Sequence, residues 1–566
     1  MQDKFNLRPY PELTLPAIIC GLCVGSAIAL SMGYASVLIG FSSQGAELGA
    51  ILSVAFLRNR FYQGSMLELN ISQTIASAVN GASAGMMFTL PAMYILQTPH
   101  IQMLPITFAC IAGAILGIGF IAPLRKHMID LEKLPFPSGI AVATLIQTTK
   151  NVNFIQFSGL GIGMAAGVGV KCLSWYFATN QLSLSALLGL DHMVDLSVQV
   201  SLLALATGFL AGKGGVFFVI GGSIASLVIT PLVISSQAGE PLLPAFVRDH
   251  YFRHLGIGML IGGAAIGIIG ALPFLASTLR TMHKEARDSK SSGNLEELAP
   301  RTILGCILLG SGILFLMMHR FLPMLSLSIT IAYVVLSLAW IWMASIVLAE
   351  CLGRTNWTPL SGMTLLVITV LCLVAQTSAD PAMITAAISL GAAASVAMAH
   401  ATDLMTDLRA GYLLGAQPKK QQMAQMLGCW LGPLLIAGLL YVLHQVYGLG
   451  TAAMPAPQAQ IVAQVIEDIR MNELPISKYL AGAGLGAILS ASGIGGLGIL
   501  TGLGFYFPFP IVMSYGIGTL LHFLNEKFNQ HPSGNYLPAT IIASGCIVGE
   551  SLCGILLAIL DITQHS

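Results

Sequence analysis

The sequence predicts an all-α polytopic membrane protein, and three observations carry that prediction. Hydrophobic residues make up 55% of the 566-residue chain, charged residues only 9%, and the mean hydropathy is +0.81. Soluble domains carry roughly 25% charged residues, so this composition does not belong to one. Apolar runs recur from residue 12 to residue 562. Several reach the ~20 residues needed to cross a ~30 Å hydrocarbon core as a helix.

In order, the apolar runs place spans near 12–34, 36–57, 70–96, 103–123, 157–178, 195–212, 214–235 and 254–278. A second set follows near 302–319, 322–349, 360–376, 381–401, 424–447, 476–494, 497–523 and 537–562. The expectation is therefore about sixteen transmembrane helices in two related halves, 1–279 and 302–566, of about eight spans each. The polar stretch RTMHKEARDSKSSGNLEELAPR, 280–301, reads as a cytoplasmic linker between them. EKLPFPSG at 132–139 matches NELPISKY at 472–479 weakly across the halves. Lys4 and Arg8 precede an apolar run without a clear cleavage site, which reads as an uncleaved first span. Arg58, Arg60, Arg125, Lys126, Lys133, Lys419 and Lys420 fall on the same side as Lys4 and Arg8, whereas the segments 31–36 and 97–102 carry no Lys or Arg. By the positive-inside rule both termini are cytoplasmic, with Arg320 the exception.

Three segments are expected to be broken helices: LPFPSGIAVATLI from Leu134, GKGGVFFVIGG from Gly212 and GFYFPFPIVMSYGIG from Gly504. Proline removes a backbone donor and clashes with the preceding turn, so such segments kink and free backbone groups. At membrane depth those groups are tolerated only inside protein or beside water, the setting in which many carriers build a substrate site.

Polar residues within the spans are the sharper signal. In LELNISQTIASAVNGASAGMMFTLP, residues 67–91, positions 70, 73, 74, 77, 80 and 81 form one stripe on a helix, while Ile71, Ile75, Val79 and Met86 lie away from it. One face can hydrogen-bond, and the other can meet lipid or apolar helices. A charge at the bilayer centre costs at least ~2.5 kcal/mol, so ionisable residues there mark function. Those in or beside spans are Glu47, Glu68, Glu350, Asp380, Asp403, Asp407, Arg409 and Glu550. Glu47 and Glu550 lie deepest in apolar sequence, where desolvation disfavours the charged carboxyl and suits it to exchange a proton. Asp403, Asp407 and Arg409 are placed at a cytoplasmic end, spaced for an ion-pair network that could gate.

Other patterns carry no function. Gly81-Ala82-Ser83-Ala84-Gly85 has the spacing of a hydrolase elbow but lies in a helical stretch, where small residues allow close helix approach. His250 and His254 have metal-ligand spacing without the glutamate of a zinc protease, and read as an interfacial pair. The ten cysteines, Cys20 and Cys23 among them, read as small buried residues, and the 25 methionines as core filler. A net charge of +1 with no basic tract excludes nucleic acid as a partner. No cofactor or metal is implied.

Several stretches together resemble the oligopeptide transporter family, particularly its bacterial and yellow-stripe-like branches. NISQTIASAVNGASAGMMFTLPA is similar to the family's N-x-x-Q-T-x-A-S segment, LPFPSGIAVATLI to its L-P-(F/Y)-P-S-G segment, and AECLGRTNWTPLSGMTLL to one ending N-x-x-P-(V/L)-S-G-M-T. DLMTDLRAGYLLGAQPKKQQMAQMLG is similar to its D-L-x-x-D-(F/L)-(K/R)-x-G-Y-L segment. The matches keep their order and cover most of the chain. The N-P-G-P-F-type motif of the fungal and plant peptide-carrying branch is absent, and a T-G-E-T-N form is shortened to Gly353-Arg354-Thr355-Asn356. The resemblance implies secondary active transport, usually driven by protons, and not an enzyme.

The resulting expectation is a proton-coupled importer of small oligopeptides in a bacterial inner (plasma) membrane. The alternative is proton-coupled uptake of amino-acid-derived metal chelates of the siderophore or nicotianamine type. Asn70, Gln73, Ser77, Asn80, Pro137, Ser138 and Asn356 are the expected substrate contacts, because amides both donate to and accept from peptide groups. Glu47, Glu68 and Glu550 are the expected proton-coupling groups, and Asp403, Asp407 and Arg409 the gate. A homo-oligomer is compatible with the sequence. An intramembrane enzyme would need a catalytic pair at membrane depth, which the sequence does not offer, and a passive channel is the third class.

Overall fold

In hydrocarbon an unpaired backbone polar group costs several kcal/mol, and a helix pairs nearly all of its own within one segment. The apolar runs accordingly fold as helices. The computed structural model describes residues 11–40, 45–58, 63–98, 101–148, 154–177, 181–185, 196–236, 244–267, 269–270, 297–321, 326–355, 358–374, 381–471, 475–494, 496–528 and 537–565. Eight helices among them are long and apolar enough to cross a bilayer, and five shorter apolar ones, such as Gly45–Leu57 and Leu497–Tyr506, accompany them. The protein is thus an all-α, multi-pass integral membrane protein. One small antiparallel hairpin, Gln181–Ser183 with Ser197–Gln199, is the departure, and it takes the start of the span expected near 195. Most of the 280–301 linker, together with Lys4, Arg8, Arg60, Asp380 and Asn356, lies outside the described residues.

Two helices run farther than their hydropathy indicates. The first, Leu15–Ile39, passes through the loop expected at 31–36 and stops where Gly40 adopts φ 67°, a left-handed cap that favours glycine. The helix expected to end at 401 continues as Pro381–Leu414, 34 residues in all. Conversely, the amphipathic helix Pro457–Arg470 has no counterpart among the expected spans, because its apolar Ile461, Val462, Val465 and Ile466 are diluted by glutamines and acids.

The three expected breaks are all present. Residues 132–136 leave the helical path with Lys133 at φ 54° and Phe136 at φ 43°, and a new helix opens at Pro137. Gly212–Gly215 forms a 3₁₀ turn between Leu202–Ala211 and Val216–Ser223. Phe507 is extended between Leu497–Tyr506 and Phe509–Phe528.

The Met66–Met87 helix, which carries the polar stripe, lies at the centre. It packs against Leu15–Ile39, Gly45–Leu57, Pro381–Leu414, Pro418–Gly428 and Leu431–Tyr447. Its non-stripe residues Ile71, Ile75, Val79 and Met86 are fully buried among these helices. Close approach depends on small residues. A Cβ on Gly113 or Gly117 of Met103–Ile121 would run into the carbonyl oxygens of Ala393 and Ala397, and one on Gly81 would stand 2.7 Å from His400 Cε1.

Candidate functional site

The stripe helix is fixed at its start by a capping box. Ser65 Oγ accepts from the Glu68 N–H at 3.1 Å, Glu68 Oε2 accepts from the Ser65 N–H at 2.8 Å, and Thr14 Oγ1 donates to Glu68 Oε1 at 2.6 Å. Glu68 is therefore held at the helix end by local bonds. Beyond it, helical spacing brings Asn70, Gln73, Ser77 and Asn80 onto one buried face.

That face meets the long Pro381–Leu414 helix in antiparallel register. Gly81 lies against His400 and Asp403, and Gln73 Nε2 donates to Asp407 Oδ1. Ser77 Oγ and Asp407 Oδ2 are each buried without a hydrogen-bonding partner. On the third side, Gln421 of Pro418–Gly428 donates to the Asp407 carbonyl at 2.8 Å and reaches Thr74 Oγ1 at 3.5 Å. Asn80 Oδ1 accepts from Ser83 Oγ at 3.0 Å, and its side chain fills the space in front of Gly45.

Two further elements close the cluster. Glu47 is exposed and interacts with Ser138. The Pro137–Thr148 helix meets the long helix where a Cβ on Gly139 would stand 2.7 Å from the Thr406 carbonyl and 3.1 Å from Arg409 Cβ. The break before Pro137 is itself anchored by the Phe136 N–H donating to the Gly353 carbonyl at 3.0 Å, which joins two of the family-like segments.

The structure thus gathers Glu47, Asn70, Gln73, Ser77, Asn80, Pro137, Ser138, Asp403, Asp407 and Arg409 into one neighbourhood. The ion-pair network expected of the last three is not found among the described residues. Asp403 and Asp407 are buried in the last third of the helix, which runs on to Leu414, and no ion pair joins Arg409 to either among the described residues. Arg409 instead stacks on Tyr412, its guanidinium carbon 5.4 Å from the ring centre. Glu550 stands apart from the cluster. It accepts from Ser201 Oγ at 2.7 Å and from the Leu203 N–H at 2.8 Å, capping the Leu202–Ala211 helix.

Unpaired buried polar atoms concentrate here. Both amide atoms of Asn70, Gln73 Oε1, Ser77 Oγ, His400 Nε2, Asp407 Oδ2, Arg409 Nε, Gln421 Oε1 and both amide atoms of Gln425 are buried without a hydrogen-bonding partner. Each such group costs about 1–3 kcal/mol, so a cluster of them is not explained by stability. Sequence reasoning missed His400, Gln421 and Gln425. The i,i+4 spacing of the two glutamines in PKKQQMAQMLG was the available signal. It also missed a second network, in which Arg253 donates to Gln460 Oε1 at 2.6 Å and Tyr506 Oη at 3.0 Å, and Tyr479 Oη donates to Asp468 Oδ2 at 2.6 Å. Among the described residues no group of His, Cys, Asp and Glu is placed to hold a metal ion.

A multi-pass helical protein with broken helices around a central strip of unpaired amides and carboxyls has the build of a membrane carrier. The family model described as OPT oligopeptide transporter protein matches residues 12–560, and the chain belongs to that family. A Haemophilus influenzae protein, provisionally named an oligopeptide transporter, is 26% identical over 93% of this chain and 92% of its own length. A Saccharomyces cerevisiae protein with a similar provisional name is 31% identical, over 27% of this chain and 24% of its own.

Proposed function

We propose that the protein is a proton-coupled secondary carrier that imports small oligopeptides or peptide-like molecules by alternating access. The unpaired amides of Asn70, Gln73 and Gln425 are the observation that carries this reading. A peptide offers alternating N–H and C=O groups, and amide side chains present both complements at once. In the conformation described, Asn70, Gln73 and Ser77 have no accessible surface, so the substrate strip is closed. Parting of the stripe helix from the long helix would expose it, with Ser138 and Glu47 at its margin. Membership of an oligopeptide transporter family, with a full-length relative provisionally named for that activity, points the same way.

Of the three glutamates read from sequence as coupling groups, Glu68 and Glu550 are both engaged as helix caps, which argues against a coupling role for them. The positive-inside distribution supports cytoplasmic termini in a bacterial inner membrane, and the layout supports two related halves, 1–279 and 302–566. The test is uptake by proteoliposomes of a labelled tripeptide and, separately, of an iron-nicotianamine chelate, each with and without an inward proton gradient. Gradient-dependent accumulation of the peptide is the expected result. Accumulation of the chelate alone would move the substrate to the metal-chelate class, and uptake of either without saturation or gradient dependence would indicate a channel.

A further inference from the structure

The long helix carries two carboxyls one turn apart, Asp403 and Asp407, 7% and 0% exposed. No cation contacts either one among the described residues. Arg354, on the packed Leu327–Thr355 helix, lies outside the described side chains, and the described charged groups on the elements around Asp407 are placed as follows. Glu68 is in its capping box, Glu47 is against Ser138, and Lys420 pairs with Glu12 at 3.3 Å. Lys419 is exposed, and Glu350 on Leu327–Thr355 has its own interactions. The helices Met103–Ile121, Pro137–Thr148 and Leu360–Val374 contain no charged residue. On the long helix itself Arg409 stacks on Tyr412, and His400 Nδ1 is 3.0 Å from the Val396 carbonyl, which leaves Nε2 as the unpaired acceptor if Nδ1 carries the proton.

Among the described residues the two adjacent buried carboxylates have no counter-ion, and like charges so placed repel and are poorly solvated, which favours neutralising one of them. Asp407 is packed so closely that no water-sized sphere touches it, and a proton is the one ligand that needs no space. We propose that the coupling proton binds the Asp403–Asp407 pair, with Asp407 Oδ2 as its site and Gln73 as the residue that positions the carboxyl.

The balance is a proton added to a carboxylate oxygen, giving the neutral acid, and its later release to water. Ser77, on the same helix face as Gln73, has an unpaired hydroxyl, a group that can donate to a carboxylate or accept from an acid. What differs is the charge. Protonated, the pair is compatible with the closed contact between the stripe helix and the long helix. Deprotonated, it leaves an uncompensated charge in that contact and favours its opening to water. The amide of Gln73 ties this switch to the proposed substrate strip, because the same side chain that holds Asp407 presents an unpaired Oε1.

The inference rests on the proton-coupled reading above, and the experiment separates the two. Full-length protein is reconstituted in liposomes containing a pH-sensitive dye and given labelled trialanine under an inward proton gradient. Wild type should accumulate peptide and acidify the lumen. D407N should lose both by at least about tenfold, and D407E should restore both to within about threefold. Infrared difference spectra across pH, taken on purified protein without substrate, supply a readout that a merely structural role would not move. A protonated-carboxyl band should be present in wild type, missing in D407N and shifted in D403N. Retention by D407N of either the proton flux or the band overturns the assignment. Peptide accumulation by wild type without proton movement defeats the proton-coupled reading itself and the assignment with it.

Discussion

Asn70 separates structural from transport roles at the scale of one residue. Both its amide atoms are buried and unpaired, so Asn70→Leu removes desolvation cost without breaking a bond. The expected outcome is stability equal to wild type or higher by about 1 kcal/mol in a detergent melt, with peptide uptake lowered at least tenfold, on the order of a lost amide contact. Glu550 is the opposite case. Its two bonds, from Ser201 Oγ and the Leu203 N–H, need two acceptor oxygens and an amide offers one, so Glu550→Gln should cost about 1–3 kcal/mol, read as a lower melting temperature, while the coupling ratio of the surviving protein stays unchanged. The sequence marked both residues as anomalous in apolar surroundings. It did not show that Gln73 would find Asp407, 334 positions away, because helical spacing specifies a face and not the helix that covers it.

Among the elements, the LPFP break holds unusual backbone. Lys133 and Phe136 sit at positive φ, a conformation that costs a non-glycine residue about 1–3 kcal/mol, and Lys133 is exposed. Lys133→Gly should therefore raise stability by about 1 kcal/mol in thermal unfolding, as glycine reaches that φ freely. The Met103–Ile121 helix depends on the reverse property. Gly113→Val and Gly117→Val would each drive side-chain atoms into the Ala393 or Ala397 carbonyl, and should lower stability by about 1–3 kcal/mol or prevent insertion, seen as reduced folded yield. Prolines announced two of the three breaks in the sequence, and the glycines of GKGG the third. Element ends were less legible. Hydropathy ended the long helix at its first charged residues, although aspartates buried in a helix interface do not interrupt it.

For the whole molecule, orientation follows from where Lys and Arg lie. Single cysteines placed at Lys126 and at Lys419, both exposed, in a cysteine-free background should react with a membrane-impermeant maleimide only after the membrane is opened. Labelling of either from outside intact cells would reverse the orientation. By itself the sequence determined the class, an all-α multi-pass membrane protein, because transfer of apolar side chains into hydrocarbon and the need to pair every backbone amide leave few alternatives. It also marked the broken segments and the amide stripe, since proline chemistry and a 3.6-residue period are local properties. Only the tertiary structure decided which polar groups face one another. It set the Glu68 and Glu550 carboxyls to capping helices, and buried Asp403 and Asp407 against the stripe helix. A carboxyl's role depends on the donors and charges within a few ångströms of it, and those arrive from distant parts of the chain.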